Sequence, residues 1–103
     1  MKVEIASSIL SRLRGLLGRK ECPDLLVLTP CNDVHTFGMS RAIDVAFIAA
    51  DGLVLESHRA VGACRRLRCR PATATLERIA IETPWFERGD RVELKELVRE
   101  SME

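Results

Sequence analysis

The stretch that decides the fold is CNDVHTFGMSRAIDVAFIAADG, residues 31–52. Its second half, Ile43 to Ala50, is apolar except for Asp44 and rich in β-branched residues, which is typical of a short buried strand. Asp51-Gly52 follows at once, and this dipeptide favours a type I′ hairpin turn, whose two central residues both need positive φ. The sequence therefore predicts a β-hairpin in which residues 53–57 pair back against this strand.

The residues in front of the hairpin predict a loop, because Pro30 and the polar pair Asn32-Asp33 disfavour a continuing strand. Three side chains that could bind a ligand or take part in chemistry follow, namely His35, Thr36 and Met39. We therefore expect these three residues to lie on or beside a loop that leads into the core strand.

Four other segments have the composition of strands: residues 3–5, 25–28, 72–82 and 91–97. In the third, the alternation of apolar residues shifts between Leu76 and Ile79, which predicts a β-bulge or two short strands. The charged tail that follows the last of these segments is expected to fray.

The N-terminal segment predicts an amphipathic helix that begins after Ser7 or Ser8 and ends at Gly18. Its apolar residues recur at helical spacing on one face: Ile9, Leu10, Leu13, Leu16 and Leu17. The fold predicted is mainly β, a small β-sandwich or partly open barrel of about six to eight strands with this helix packed against it. The 103 residues are expected to form one domain.

Four blocks of sequence, taken in order, resemble the DUF192 family of small prokaryotic proteins of unknown function. They are R-G-L-L-G-R at 14–19, V-H-T-F-G-M-S-R-A-I-D-V-A-F-I at 34–48, T-L-E at 75–77 and G-D-R-V-E-L at 89–94. Gly38 and Ala42 depart from the family pattern, in which a bulkier residue and a proline are usual. The resemblance implies a compact, mainly β domain over residues 1–103, with no established activity and no catalytic residue to carry over.

Composition favours a cytoplasmic protein without membrane insertion. The net charge of +1 exerts no general attraction for nucleic acid or membrane. No apolar run reaches the ~20 residues that cross a bilayer, and Glu4 interrupts the N-terminus where a signal peptide would be apolar. The four cysteines, Cys22, Cys31, Cys64 and Cys69, are then expected to be free thiols.

The cysteine spacing does not predict a metal site. Structural zinc sites normally use two closely spaced cysteine pairs, and only Cys64 and Cys69 form such a pair. A disulfide between these two is disfavoured in the cytoplasm. No P-loop or dinucleotide-binding fingerprint is present, so no cofactor is expected.

The segment RAVGACRRLRCR, residues 59–70, holds five arginines and no acid. Arginine is suited to bidentate phosphate or carboxylate binding, so Arg65 and Arg66 are candidates for an anion site. No aromatic side chain alternates with them, as is usual in proteins that bind single-stranded nucleic acid. We therefore do not expect a nucleic-acid partner, and a solvated basic loop paired with nearby acids is the favoured interpretation.

Two functions remain open, and the sequence does not decide whether the protein is an enzyme. The first is a non-enzymatic binding or accessory module for a small anionic ligand or a protein partner. The second is a hydrolase-like enzyme using His35 and Asp44, with or without Cys31. Their spacing matches no hydrolase signature, and Asp44 is expected instead to accept hydrogen bonds that hold the loop at 35–39. The candidate binding residues are Cys31, His35, Thr36, Met39, Arg41, Asp44, Arg65 and Arg66.

Overall fold

The computed structural model covers residues 1–103 and describes every side chain except those of Ile9, Leu10 and Leu13. In the part of the chain it describes, seven strands and two helices form. In order they are β1 (Val3–Ala6), α1 (Ile9–Arg14), β2 (Leu25–Leu28), β3 (Asp33–His35), β4 (Ile43–Ile48), β5 (Val54–Val61), β6 (Arg66–Arg68), β7 (Ala74–Ile79) and α2 (Leu94–Ser101). The prediction of a mainly β fold is confirmed. Neither helix is long and apolar enough to cross a bilayer.

Five strands form one mixed sheet in the order β1-β2-β7-β4-β5. The β1–β2 pair is parallel, and the other neighbours are antiparallel. Every residue of β2 and of β4 is buried, which explains their nearly continuous apolar sequence. Because β1 and β5 are the edges of the described sheet, it is not a closed barrel.

The sheet has a core on each of its two faces. Side chains alternate along β4, so that Ile43, Val45 and Phe47 lie on one face while Ala46 and Ile48 lie on the other. The first face is covered by the two-stranded β3–β6 ribbon, and we call it the ribbon face. The second is covered by the C-terminal segment, and we call it the C-terminal face. The residues that cover the C-terminal face include Trp85, Val92 and Leu97.

The predicted N-terminal amphipathic helix is wrong. Ser8 caps α1 through a capping box with Ser11, but α1 has only six residues and ends at Arg14. Gly15 then adopts φ +51°, a conformation that glycine reaches without steric penalty, and this stops the helix before Leu16. Leu16 is buried on the ribbon face from a position beyond the helix. The apolar helix face predicted at residues 9, 10 and 13 lies outside the described side chains.

The prediction for the C-terminal residues is also wrong, because residues 94–101 form helix α2 instead of a strand and a frayed tail. The alternation of Val92 and Leu94 suggested a strand. The spacing of Leu94, Leu97 and Val98 is helical, however, and it turns Leu97 into the core.

Two short strands form where the sequence predicted loops. Asp33–His35 and Arg66–Arg68 pair antiparallel as the ribbon, with Val34 opposite Leu67. Both of these side chains pack on the ribbon face. Three residues are too few to leave a recognisable alternation in the sequence.

The predicted hairpin is confirmed as β4 and β5, but its turn differs from the type I′ turn expected. Gly52 donates to Ala49 O at 2.9 Å, and Ala49 N donates to Leu53 O at 2.9 Å. Gly52 has φ +90° while Asp51 does not have a positive φ, which fits a three-residue loop with a glycine bulge. Gly52 also lies directly against the backbone of Val92, whose N–H donates to Gly52 O at 2.8 Å.

The strand predicted at 72–82 is confirmed as β7, but the bulge is not present. β7 pairs with β4 in continuous register from Ala74–Ile48 to Ile79–Ile43. The apolar alternation shifts in the sequence because Glu77, a polar residue, occupies a buried position on the ribbon face. The Glu77 carboxyl group thus lies in the buried part of the sheet.

Candidate functional site

Glu77 lies in the middle of the sheet, between Leu26 of β2 and Val45 of β4. Its exposed fraction is 4 %. The described groups donate no hydrogen bond to its carboxylate, and no fully buried side-chain oxygen among them lacks a partner, so the Glu77 oxygens remain open to the cavity. Burial raises the pKa of Glu77 to about 7 because the charged form is poorly solvated there. A buried titratable group without a partner is a candidate functional group.

A cavity of about 50 Å³ opens above Glu77 on the ribbon face. This volume holds roughly three water molecules or a small chemical group. Its apolar walls come from Leu16, Leu17, Leu28, Val34, Met39 and Ile43. Its polar lining, besides Glu77, consists of Arg12, Arg14, Asp33 and His35. The cavity therefore has apolar walls together with three basic side chains. Arg14 and His35 are exposed and Arg12 is half-buried, and we call these three residues its rim.

Gly15 brings the end of α1 against the carboxylate. A Cβ atom at this position would lie 3.1 Å from Glu77 Oε1, so the glycine allows the chain to pass close to the buried acid. The positive φ of Gly15 also redirects the backbone after Arg14. As a result, residues from both sides of Gly15 line the cavity.

The two arginines at the rim differ in how firmly they are held. Arg12 is half-buried, and its guanidinium donates to Pro30 O at 2.6 Å and to Ser8 O at 3.3 Å. Arg14 is exposed, and its guanidinium makes no hydrogen bond with the described residues. Arg14 is therefore available to an anion that approaches the mouth of the cavity.

His35 lies at the same rim, at the end of β3. Its Nδ1 accepts a hydrogen bond from Phe37 N at 3.3 Å, and its ring stacks on Phe37 with centroids 5.3 Å apart. An accepting Nδ1 cannot carry a proton, so the Nε2 atom is the ring donor in this arrangement. His35 can therefore offer an N–H group to a ligand.

Three more candidate residues named from the sequence, Met39, Thr36 and Cys31, pack or form hydrogen bonds within the fold. Met39 lines the cavity wall. Thr36 is buried, where its hydroxyl donates to Gly62 O at 2.7 Å and accepts from Arg65 N at 2.8 Å. Cys31 packs at the edge of the ribbon-face core and donates from Sγ to Asp33 O at 3.5 Å. Thr36 and Cys31 do not line the cavity.

The predicted arginines lie outside the cavity. Arg66 forms a bidentate pair with Asp33, with Nε–Oδ1 at 3.0 Å and Nη2–Oδ2 at 2.5 Å. The Arg65 side chain is exposed. Arg41 donates to Arg19 O and to Cys22 Sγ, both at 3.4 Å. The basic segment is thus partly neutralised by an acid from the facing strand of the ribbon.

Asp44 does not meet His35. Asp44 projects from β4 onto the C-terminal face, whereas His35 belongs to the ribbon on the opposite face. The Cys31–His35–Asp44 set considered for a hydrolase is therefore not brought together. The expectation that Asp44 holds the loop at 35–39 is also wrong, because its hydrogen bonds go elsewhere.

Asp44 is fully buried and joins three strands. Oδ1 accepts from Ala60 N at 2.9 Å and from Arg59 Nε at 3.3 Å, and Oδ2 accepts from Arg78 Nε at 2.8 Å. Burial by itself would raise the pKa of Asp44. The hydrogen bonds from Ala60 and Arg78 and the charges of Arg59 and Arg78 outweigh burial and lower it. The carboxylate stays ionised as part of the structure.

The two arginines bound to Asp44 continue the network into the C-terminal segment. Each donates from Nη2 to Thr83 O, at 2.9 Å from Arg59 and 2.8 Å from Arg78. The guanidinium of Arg78 also lies over the Trp85 ring, 4.7 Å from its centroid. These contacts indicate that the cluster stabilises the fold.

The four cysteines are free thiols. Cys64 is exposed, while Cys69 is buried, and burial is the main cause of the raised pKa of its thiol. Among the described residues, no group of three or more His, Cys, Asp or Glu side chains is placed to hold a metal ion.

Three of the four sequence blocks that resemble DUF192 converge on the cavity. The first contributes residues 14–17, the second Val34, His35, Met39 and Ile43, and the third Glu77. The fourth, residues 89–94, packs beside the hairpin, where Val92 N bonds Gly52 O. The sequence model of DUF192, described as an uncharacterised ACR, matches residues 1–94. The chain belongs to the DUF192 family.

Two solved structures have the same fold as this DUF192 protein. One is a protein of unknown function from Novosphingobium aromaticivorans, with 20% identity, a TM-score of 0.66, and coverage of 76% of this chain and 62% of that one. The other is described as a "putative transcription regulator" from Sinorhizobium meliloti, with 22% identity, a TM-score of 0.66, and coverage of 76% and 67%. This chain thus spans less than two thirds of the Novosphingobium protein. No curated protein matches the sequence.

The sequence interpretation missed Glu77, Arg12 and Arg14 as site residues. The sequence does carry a signal for Glu77, because it is an acid within a strand of largely apolar residues. Asp44 is a candidate residue on the same ground. Glu77 also ends the T-L-E block of the family resemblance. Arg12 and Arg14 had no comparable signal, because their position depends on where α1 stops.

Proposed function

We propose that this DUF192 domain is a non-enzymatic binding module that takes a small anionic ligand at the mouth of the Glu77 cavity. The observation that carries this proposal is that Arg12, Arg14 and His35 all line one cavity. Guanidinium groups form strong, charge-assisted hydrogen bonds with carboxylates and phosphates. Arg14 has no competing acid among the described residues.

Glu77 does not prevent an anion from binding at this rim. With its pKa raised to about 7, Glu77 is largely protonated in mildly acidic solution and carries little negative charge there. Asp33, the other acid of the lining, is held by Arg66. The rim is therefore net positive below neutral pH, and anion binding is expected to strengthen as the pH falls towards 6.

The hydrolase alternative has no comparable support. It requires His35 and Asp44 within reach of each other, and they lie on opposite faces of the sheet. Asp44 is moreover fully engaged with Ala60, Arg59 and Arg78. We therefore favour binding over catalysis.

Charge reversal at Arg14 tests the proposal. Ethylphosphonate is titrated calorimetrically, at pH 6 and low salt, into the parent protein, Arg14→Glu and the control Arg88→Glu. Arg88 is also exposed, and it does not line the cavity. Both variants replace an arginine by a glutamate, so they change the net charge equally. We expect affinity to fall about tenfold or more in Arg14→Glu and little in Arg88→Glu. Equal losses in both variants, or no binding to the parent, would refute an anion site at this rim.

We also propose a cytoplasmic location. The four free cysteines support it, because exposed thiols such as Cys64 persist in reducing compartments.

A further inference from the structure

We propose that the ligand of this site is an amino acid-like zwitterion, whose acidic group binds at the arginine rim and whose primary ammonium group enters the cavity and pairs with Glu77. The inference rests on the proposed function for the acidic half of the ligand. The ammonium half is argued from the cavity itself.

The cavity contains the Glu77 carboxylate, an acceptor to which none of the described groups donates a hydrogen bond. Glu77 is 4 % exposed, and its carboxylate oxygens are open to the cavity. Its neighbours on the flanking strands, Leu26 and Val45, are apolar. Buried carboxylates are normally paired, because leaving one unpaired destabilises the fold. A group that supplies donors from outside would complete this site.

The size of the cavity restricts what can enter. A volume of about 50 Å³ admits a few non-hydrogen atoms. A primary ammonium group on one or two methylenes fits this space, and its three N–H donors suit a carboxylate. The side chains of Leu16, Leu28 and Ile43 provide apolar contact for the methylenes.

The charged groups that line the cavity differ in depth. Glu77 is 4 % exposed, whereas Arg12 is half-buried and Arg14 is exposed, so the acid lies deeper than the arginines. A simple amine would leave the arginines unused, and a simple acid would leave Glu77 unpaired. A short molecule that carries opposite charges at its two ends satisfies both.

Binding of an ammonium group has a proton balance that can be measured. At pH 6 the Glu77 carboxyl group is mostly protonated. Pairing with an ammonium ion requires the carboxylate, so the Glu77 proton passes to the buffer. A phosphonate that binds guanidinium groups also loses a proton of its own, and this second contribution is common to the parent and Glu77→Gln. Binding of an acid at the rim alone does not release the Glu77 proton.

The test compares 2-aminoethylphosphonate with ethylphosphonate, which lacks only the amine. Calorimetric titrations are run at pH 6 in two buffers of different ionisation enthalpy, with the parent protein and Glu77→Gln. We expect the aminophosphonate to bind the parent about tenfold more tightly and to release close to one proton from Glu77. Glu77→Gln is expected to lose the preference and to release about one proton fewer with the aminophosphonate than the parent does, while still binding ethylphosphonate.

The outcomes separate the two proposals. If both phosphonates bind the parent equally, and Glu77→Gln releases as many protons as the parent, the ammonium site is refuted and the anion site stands. If neither phosphonate binds, both proposals fail. If Glu77→Gln does not fold, the difference in affinity between the two ligands, measured on the parent protein, still decides the question.

Discussion

At the scale of single residues, two acids in neighbouring strands of one sheet have opposite environments. Asp44 faces two guanidinium groups and a backbone N–H, and its pKa is lowered. Glu77 faces the cavity without a hydrogen bond from the described groups, and burial raises its pKa to about 7. Their sequence contexts are alike, since each is an acid among apolar strand residues. The partners that distinguish them, Arg59 and Arg78, reach Asp44 only through strand pairing, so the sequence could not predict the difference.

Removal of the Asp44 carboxylate should destabilise the fold strongly. Asp44→Ala leaves Arg78 largely buried without its counter-ion and strands the N–H of Ala60. We expect the free energy of unfolding in urea at pH 7 to fall by about 3 kcal/mol. The control Asp33→Ala breaks a more exposed pair with Arg66 and should lower it by less than about 1 kcal/mol. Equal stability of Asp44→Ala and the parent would show that the Asp44 network is not structural.

At the scale of elements, the sequence predicted those that carry a clear pattern and missed those that do not. The β4–β5 hairpin and β7 are long enough for apolar character and turn residues to identify them. The ribbon strands have three residues each, and their pairing depends on contacts between distant parts of the chain. α1 is short because of one backbone conformation at Gly15, which the leucine spacing does not reveal.

The hairpin depends on Gly52 for two separable reasons. Its positive φ disfavours any side chain, and a Cβ atom would also collide with the carbonyl oxygen of Val92. Gly89 has a similar φ of +94° but open space around it. We expect Gly89→Ala to lower the unfolding free energy by about 1 kcal/mol, and Gly52→Ala by at least about 3 kcal/mol.

Thermal and urea unfolding of the two glycine variants measure this difference. If they lose the same stability, the backbone conformation alone explains the preference for glycine. The close packing of residues 89–94 on the hairpin turn would then contribute nothing further.

At the scale of the whole molecule, Glu77 should make global stability depend on pH. Its pKa rises from 4.5 to about 7 on folding, so between these values the folded protein binds more protons than the unfolded chain. Stability contributed by this group is therefore fully present below pH 4.5 and is lost as the pH rises to about 7. The charged groups that line the cavity with it are Arg12, Arg14, Asp33 and His35.

Glu77→Gln isolates this effect, because all other titratable groups are common to both proteins. The stability of the variant relative to the parent should rise by about 3 kcal/mol between pH 4.5 and pH 8. Urea unfolding at several pH values in this range measures the change. A difference between the two proteins that stays constant with pH would mean that folding does not raise the pKa of Glu77.

Of the candidate binding residues named from the sequence, His35 and Met39 line the cavity. Cys31, Thr36, Arg41, Asp44, Arg65 and Arg66 do not. The cavity forms where the end of α1, the ribbon and β7 come together. No local sequence pattern predicts that these three elements are in contact. Predicting it requires the strand order, in which β7 lies between β2 and β4.

That strand order also bears on how the protein is made. As the chain leaves the ribosome, β2 emerges early, but its partner β7 comes only after the whole hairpin and the ribbon have been synthesised. The hairpin can close by itself, whereas the central pairing waits for distant residues, which slows folding. A nascent chain that ends before Ala74 leaves β2 and β4 each with an unpaired apolar edge. Chains interrupted at this stage are therefore the ones most prone to aggregate.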